Sequence, residues 1–218
     1  MKVRNLARWV KFVMAAAASA CLVGCTGETT RSLPVHVYIG IDTSGGTRGR
    51  LGAFAAMAAR LGGGRLQPGR DRVTLFTVCD STQEFSDGPA PDSQAGLEQT
   101  IVRAVKTPPT RPGTRPAAFW SQVARRAEAD GGARVAVVLL SDGDNDDTTP
   151  AARSEILAAG KRLASNNRVA LVAVVAVNPE NRDCLRKCFG PLGDRFVLQG
   201  PTEMDVDAVL HRLQDQSR

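Results

Sequence analysis

Arg134-Val-Ala-Val-Val-Leu-Leu-Ser-Asp-Gly-Asp144 is the stretch on which the fold turns. Its apolar run is near-continuous and ends abruptly in a Ser-Asp-Gly turn, as suits a central strand buried on both faces of a parallel sheet. Val169–Val177 has the same character. Val35-His-Val-Tyr-Ile-Gly-Ile-Asp42 alternates instead, with Val35, Val37, Ile39 and Ile41 on one face. Val73–Cys79 and Arg195–Leu198 read as further strands, and Glu84-Phe-Ser86 as a short edge strand after a turn at Asp80-Ser-Thr82. Helical periods lie between them at about Gly49–Leu61, Ser93–Lys106, Pro116–Asp130, Pro150–Ser165 and Thr202–Gln214. Thr149 followed by Pro150 has the chemistry of a helix start, and Thr202-Glu-Met-Asp205 resembles a capping box with Asp in place of Glu. The alternation predicts an α/β fold, a doubly wound and mostly parallel six-stranded sheet with helices on both faces.

The rest of the composition agrees with one domain plus an appendage. The chain has 218 residues, 43% of them hydrophobic and 23% charged, with a single Tyr, so its core should be aliphatic. Its net charge of +6 is misleading, because Lys2, Arg4, Arg8 and Lys11 sit in a basic leader that contains no acid. Phe12–Val23 is apolar and Ala-rich but too short to span a bilayer, and Leu22-Val23-Gly24-Cys25 follows it. This end resembles the lipobox of bacterial lipoproteins, which implies cleavage before Cys25, a diacylglycerol on its sulfur and anchoring by several acyl chains. The expected organisation is a signal peptide over 1–24, a lipidated Cys25 and polar tether over 25–33, a domain over 34–214 and a tail over 215–218. Loss of the leader leaves 24 cations against 22 acids, which removes the argument for a nucleic-acid partner. Thr26, not Asp, follows Cys25. The lipoprotein sorting rule then places the protein at the outer membrane if the cell is Gram-negative, and otherwise on the cell membrane.

Ligands of an open α/β sheet bind outside the carboxyl ends of the strands. Two acid-bearing turns fall there, Asp42-Thr-Ser-Gly-Gly46 and Ser141-Asp-Gly-Asp144, and a third loop, Gly113-Thr114, opens the helix with Phe119 and Trp120. Asp42, Ser44, Thr114 and Asp142 together would make an oxygen-only cluster suited to Mg²⁺, Mn²⁺ or Ca²⁺ rather than Zn²⁺. Thr107 and Thr110 are rivals for the third position; Thr114 is preferred because Gly113 precedes it and the helix follows.

At these residues the chain resembles the von Willebrand factor type A family over about residues 34–214. The family's metal-ion-dependent adhesion site is Asp-x-Ser-x-Ser after the first strand, a Thr in a later loop and an Asp-Gly closing the central strand. Asp42-Thr-Ser44, Thr114 and Asp142-Gly143 supply these elements in order. The second Ser falls on Gly46, so one hydroxyl is missing unless Thr47 or a water replaces it. The resemblance implies a metal that bridges to an acidic side chain of a partner protein. The alternative is that the carboxylates serve only as turn formers, with no ion bound.

Other chemistry finds less support. Asp142–Asp147 lacks the Gly and Glu of a calcium-binding EF-hand loop, and Asp144, Asp146 and Asp147 read as a solvated acidic rim. The histidines, His36 and His211, lie away from the strand-end loops and read as structural. Gly62-Gly-Gly-Arg65 is a turn, not a phosphate cradle. Of the cysteines beyond Cys25, Cys79 reads as a buried thiol and Cys184–Cys188 as the candidate disulfide, stapling the loop after the Val169–Val177 strand. A regular helix there would put that spacing near the upper limit of disulfide geometry, so paired and unpaired states both stand. The expectation is therefore a binding protein, not an enzyme, held at a bacterial membrane and facing a protein partner in the envelope or at the surface. A metal-free scaffold of an envelope assembly and, further off, a metal-dependent hydrolase are the competing readings.

Overall fold

Every β-rich run forms a strand. They are β1 Val35–Asp42, β2 Arg72–Val78, β3 Thr82–Pro89, β4 Arg134–Leu140, β5 Val169–Val175 and β6 Phe196–Leu198. The computed structural model describes residues 33–63, 66–106, 113–202 and 205–215, which fall in one compact unit from Leu33 onward. The strands form a six-stranded sheet in the order β3-β2-β1-β4-β5-β6. All neighbours are parallel except β2 and β3. Val138 of β4 lies between Ile39 of β1 and Ala173 of β5, so the most apolar run occupies the middle of the sheet.

The helices are α1 Leu51–Gly63, α2 Gln94–Lys106, α3 Ala117–Ala129, α4 Pro150–Ser165, α5 Arg182–Phe189 and α6 Val206–Asp215. Two apolar clusters cover the two faces of the sheet. One joins Val37, Ile39, Ile41, Leu75, Val138 and Leu140 to Phe54, Leu61, Leu97 and Ile101 of α1 and α2, with Val209 of α6. The other joins Phe76, Val137, Leu139 and Val174 to Phe119, Trp120, Leu163 and Phe189 of α3, α4 and α5. The alternation expected of β1 is thus realised, with Val37, Ile39 and Ile41 on the first face. Among the described residues both cores fall within the compact unit that starts at Leu33.

α4 starts as its sequence predicts, with the Ala152 amide donating to Thr149 Oγ1 at 3.2 Å and Pro150 in the first turn. Four expectations need correction. β3 is a full antiparallel strand over Thr82–Pro89 rather than a three-residue edge, because pairing along β2 satisfies its backbone even where its side chains are exposed. Gly62 and Gly63 belong to α1, not to a turn. The last helix begins at Val206, four residues later than expected, and Asp205 itself caps it by accepting from the Ala208 amide at 3.0 Å. The segment after β5 is not a loop: α5 is a regular helix whose Leu185, Cys188 and Phe189 form a buried stripe. Cys184 and Cys188 are free thiols, one exposed and one buried, the unpaired of the two states the spacing leaves open. On a regular helix their four-residue spacing lies near the upper limit of disulfide geometry.

At the amino end of the sheet, far along β1 from Asp42, His36 has a different task. Its Nδ1 bonds to Asp130 at the end of α3 and its Nε2 lies 2.7 Å from Thr74 Oγ1. Tyr38 donates its hydroxyl to the same Asp130 at 2.8 Å. The residue reads as structural, as expected. The leader over 1–24, Cys25, Thr107, Thr110 and residues 216–218 lie outside the described residues. No helix among the described residues is long and apolar enough to cross a membrane.

Candidate functional site

The carboxyl ends of β1 and β4 put Asp42 and Asp142 on adjacent strands. Asp42 is 0% exposed and Asp142 3%, and the two hydroxyl residues Ser44 and Thr114 are each 2% exposed. All four expected site residues are therefore buried at the sheet's carboxyl end. Asp42 forms its own turn by accepting from the Ser44 amide through Oδ1 at 2.9 Å. Its Oδ2 accepts from Ser141 Oγ at 2.7 Å, and Ser141 Oγ accepts in turn from the Gly143 amide at 3.0 Å. Ser141 was not foreseen as part of the site, although it directly precedes Asp142.

Thr47 turns its hydroxyl back onto the loop that carries Asp42: it donates to the Asp42 carbonyl at 2.8 Å and lies 3.1 Å from the Ser44 carbonyl and 3.5 Å from Asp42 Oδ1. At Gly46 the geometry is tighter than a mere deletion of a hydroxyl. A Cβ on Gly46 would come within 2.8 Å of Asp142 Oδ2, so this carboxylate occupies the space that a serine would need.

The acidic rim is solvent-facing as expected, with Asp144 and Asp146 exposed, and it also braces the loops around the site. Asp146 accepts from the Thr114 amide through Oδ2 at 2.6 Å, and its own amide donates to the Thr114 carbonyl at 2.9 Å. That reciprocal pair ties the Thr114 loop to the loop that follows β4. Asp144 Oδ1 accepts from Asn181 Nδ2 at 2.6 Å, while the Asp142 carbonyl accepts from the Asn178 amide and from Asn181. Asp147 accepts from the Thr149 amide and hydroxyl at the start of α4. Gly143 makes the Ser141–Asp144 turn possible, since its φ of 83° lies in the left-handed region.

Burial raises the pKa of both Asp42 and Asp142. For Asp42, hydrogen bonds from Ser141 and Ser44 oppose the rise and the charge of Asp142 adds to it. For Asp142 the Asp144 amide opposes it, the Asp144 charge adds and the charge of Arg50 relieves it. Arg50 is held by a bond from Nη1 to the Ala176 carbonyl at 3.2 Å, at a residue with a φ of 76°. Two buried carboxylates beside two hydroxyls, all oxygen, fit a hard divalent cation completed by water. Such a cation would neutralise the charge that burial penalises.

No protein-family model and no curated protein sequence matches the chain. Solved structures do. A von Willebrand factor type A protein from Catenulispora acidiphila superposes with a TM-score of 0.58 at 19% identity, over 85% of this chain and 42% of that one. The fold is the von Willebrand factor type A fold. The conserved hypothetical protein BatB from Bacteroides thetaiotaomicron matches with a TM-score of 0.62 at 14% identity, over 84% of this chain and 98% of that one. Proximal thread matrix protein 1 from the mussel byssus, with its MIDAS motif occupied by zinc, matches at 0.56 and 12% identity, over 85% of this chain and 45% of that one. The chain thus spans less than half the length of the Catenulispora and byssal proteins and nearly all of BatB.

Proposed function

We propose that the type A domain is a protein-recognition module, carried at a bacterial membrane by a lipidated Cys25, that grips an acidic side chain of its partner through a divalent cation. The observation that carries this reading is that Asp42, Ser44, Thr114 and Asp142 are each buried, on loops at the carboxyl end of the sheet. Asp42, Asp142, Ser44 and Thr114 would hold the ion, directly or through water, and the ion would supply an electropositive point for the partner's carboxylate. The chain's own part is to hold that constellation rigid. Ser141 and Ser44 orient Asp42, Asp146 positions Thr114, and Asn181 with Asn178 steadies the Asp142 turn.

The reading is of binding rather than catalysis, because hydrolysis through a metal-bound water calls for a general base in reach. His36 is engaged at the other end of β1. A second reading, a metal-free scaffold, draws on Gly46, where a side chain's Cβ would come within 2.8 Å of Asp142 Oδ2, and on Thr47, whose hydroxyl donates to the Asp42 carbonyl.

Thermal unfolding of Leu33–Arg218 separates the two. The panel is EDTA, Mg²⁺, Mn²⁺, Ca²⁺ and Zn²⁺, the last because the byssal protein's motif holds zinc. At a cation concentration about 100 times the dissociation constant, mass action adds about 2.7 kcal/mol. A rise in midpoint that Asp142→Ala abolishes supports the cation; no rise with any ion in either protein leaves the scaffold. For the anchor, Cys25→Ser should release the protein from the membrane fraction.

A further inference from the structure

The same end of the sheet carries a second feature. A cavity of about 400 Å³ opens between the start of α1 and the end of α2, lined by Leu51, Ala55, Val102 and Val105, with the exposed cations Arg48 and Lys106 beside them. Thr43 also lines it, and Thr43 stands between the site residues Asp42 and Ser44. Cavity and candidate cation site therefore share one loop. An apolar lining with a few charged groups at this size is the ordinary make-up of a binding pocket.

Two details say what such a pocket would take. Gly52 sits in the first turn of α1 and lines the cavity, and a Cβ added there meets nothing within 4 Å. Neither crowding nor a left-handed backbone calls for glycine, and in a helix it is worse than alanine by about 1 kcal/mol. Its one structural consequence is open space. Arg48 stands in the last turn of a 3-10 helix, Gly45–Arg50, that leads directly into α1. Neighbouring Arg50 is tied to the Ala176 carbonyl, but Arg48 and Lys106 have no ion pair among the described residues. An anion placed here would meet Arg48 and Lys106 together.

We propose that this pocket is a second subsite of the binding face, which takes an apolar side chain of the partner protein flanked by a carboxylate that pairs with Arg48 and Lys106. The inference rests on reading this face as the protein-binding one, and it names the partner segment as an apolar residue set among acids. The cation and the pocket then read neighbouring side chains of one strand of chain.

The test uses the compact unit Leu33–Arg218, ¹⁵N-labelled and titrated by NMR with the capped tripeptide Glu-Phe-Glu and with Gln-Phe-Gln. It is run in EDTA, so that it does not depend on the cation. The expected result is saturable shifts at the amides of Thr43, Leu51, Gly52, Val102 and Val105, roughly fivefold weaker binding of the Gln peptide, and loss of at least tenfold in affinity with Gly52→Phe but not with Gly52→Ala. Absence of saturable shifts, equal affinity for the two peptides, or a Gly52→Phe protein that binds as wild type overturns the subsite. Gly52→Phe should keep whatever cation-induced midpoint rise the wild type shows, which verifies its fold. Pocket binding without any cation effect would sink the cation reading alone, and a cation effect without pocket binding would sink the subsite alone.

Discussion

Gly46 is the residue on which the candidate site departs from the family motif, and the structure gives that departure a shape. Because Asp142 Oδ2 stands where a serine side chain would enter, Gly46→Ser does two opposed things. Without cation it crowds a buried carboxylate and should lower stability by about 1 kcal/mol, within the range of overpacking costs. With Mg²⁺ it offers the ion another oxygen, so the cation-induced rise in midpoint should exceed that of the wild type. Paired melts of both proteins in EDTA and in Mg²⁺ check this, and an equal cation response in the two would show that the hydroxyl does not reach the ion.

At the scale of elements, α5 does more than follow β5. Asn178 and Asn181, just before it, hold the carbonyl of Asp142, and Asn181 also holds Asp144. Its buried stripe of Leu185, Cys188 and Phe189 anchors that support to the core. The thiols report on the helix. Burial, with Cys184 adding to it, pushes Cys188 up to about 11, whereas Cys184 is exposed. Iodoacetamide at pH 8 should therefore alkylate Cys184 quickly and spare Cys188 and Cys79 until the protein unfolds. Mass spectrometry of the digested protein checks the order. Failure of Cys184 to react without prior reduction would indicate a bridge and a distorted α5.

The whole molecule sets two opposite acid responses at the two ends of its sheet. At the carboxyl end Asp42 and Asp142 are raised, so the native state takes up protons before the unfolded chain does. Their contribution to stability is full below the unfolded carboxylate range and is lost as pH rises through their folded values. At the amino end burial lowers His36 below 6.5, against the pull of Asp130. The unfolded chain there binds its proton first, so stability falls as pH drops below about 6.5. Melts in EDTA from pH 5 to 8 should show a smaller acid loss in His36→Gln than in wild type. Asp142→Asn should instead flatten the loss on the alkaline side. An unchanged profile in His36→Gln would remove the histidine from the balance.

Much of this architecture was legible in order along the chain. The runs at Val35–Asp42 and Arg134–Leu140 are strands because alternate or continuous apolar side chains leave no other way to bury them, and their last residues put Asp42 and Asp142 side by side. Thr149 and Pro150 announced α4 for an equally local reason. α5 could have been read from its Leu185, Cys188 and Phe189 spacing, but it is short and crowded with charge, so its pattern is faint.

The sequence by itself thus determined the sheet, its doubly wound class and the four oxygen-bearing residues at its carboxyl end, since these follow from local periodicity and chain order. Only the tertiary structure decided how those residues are held and whether the motif's gap matters. Asp146 meets Thr114 across 32 residues, Asn181 meets Asp144 across 37, and Asp142 fills the space over Gly46. Such contacts join side chains from different loops, and no local pattern encodes which polar groups will pair once the strands are packed.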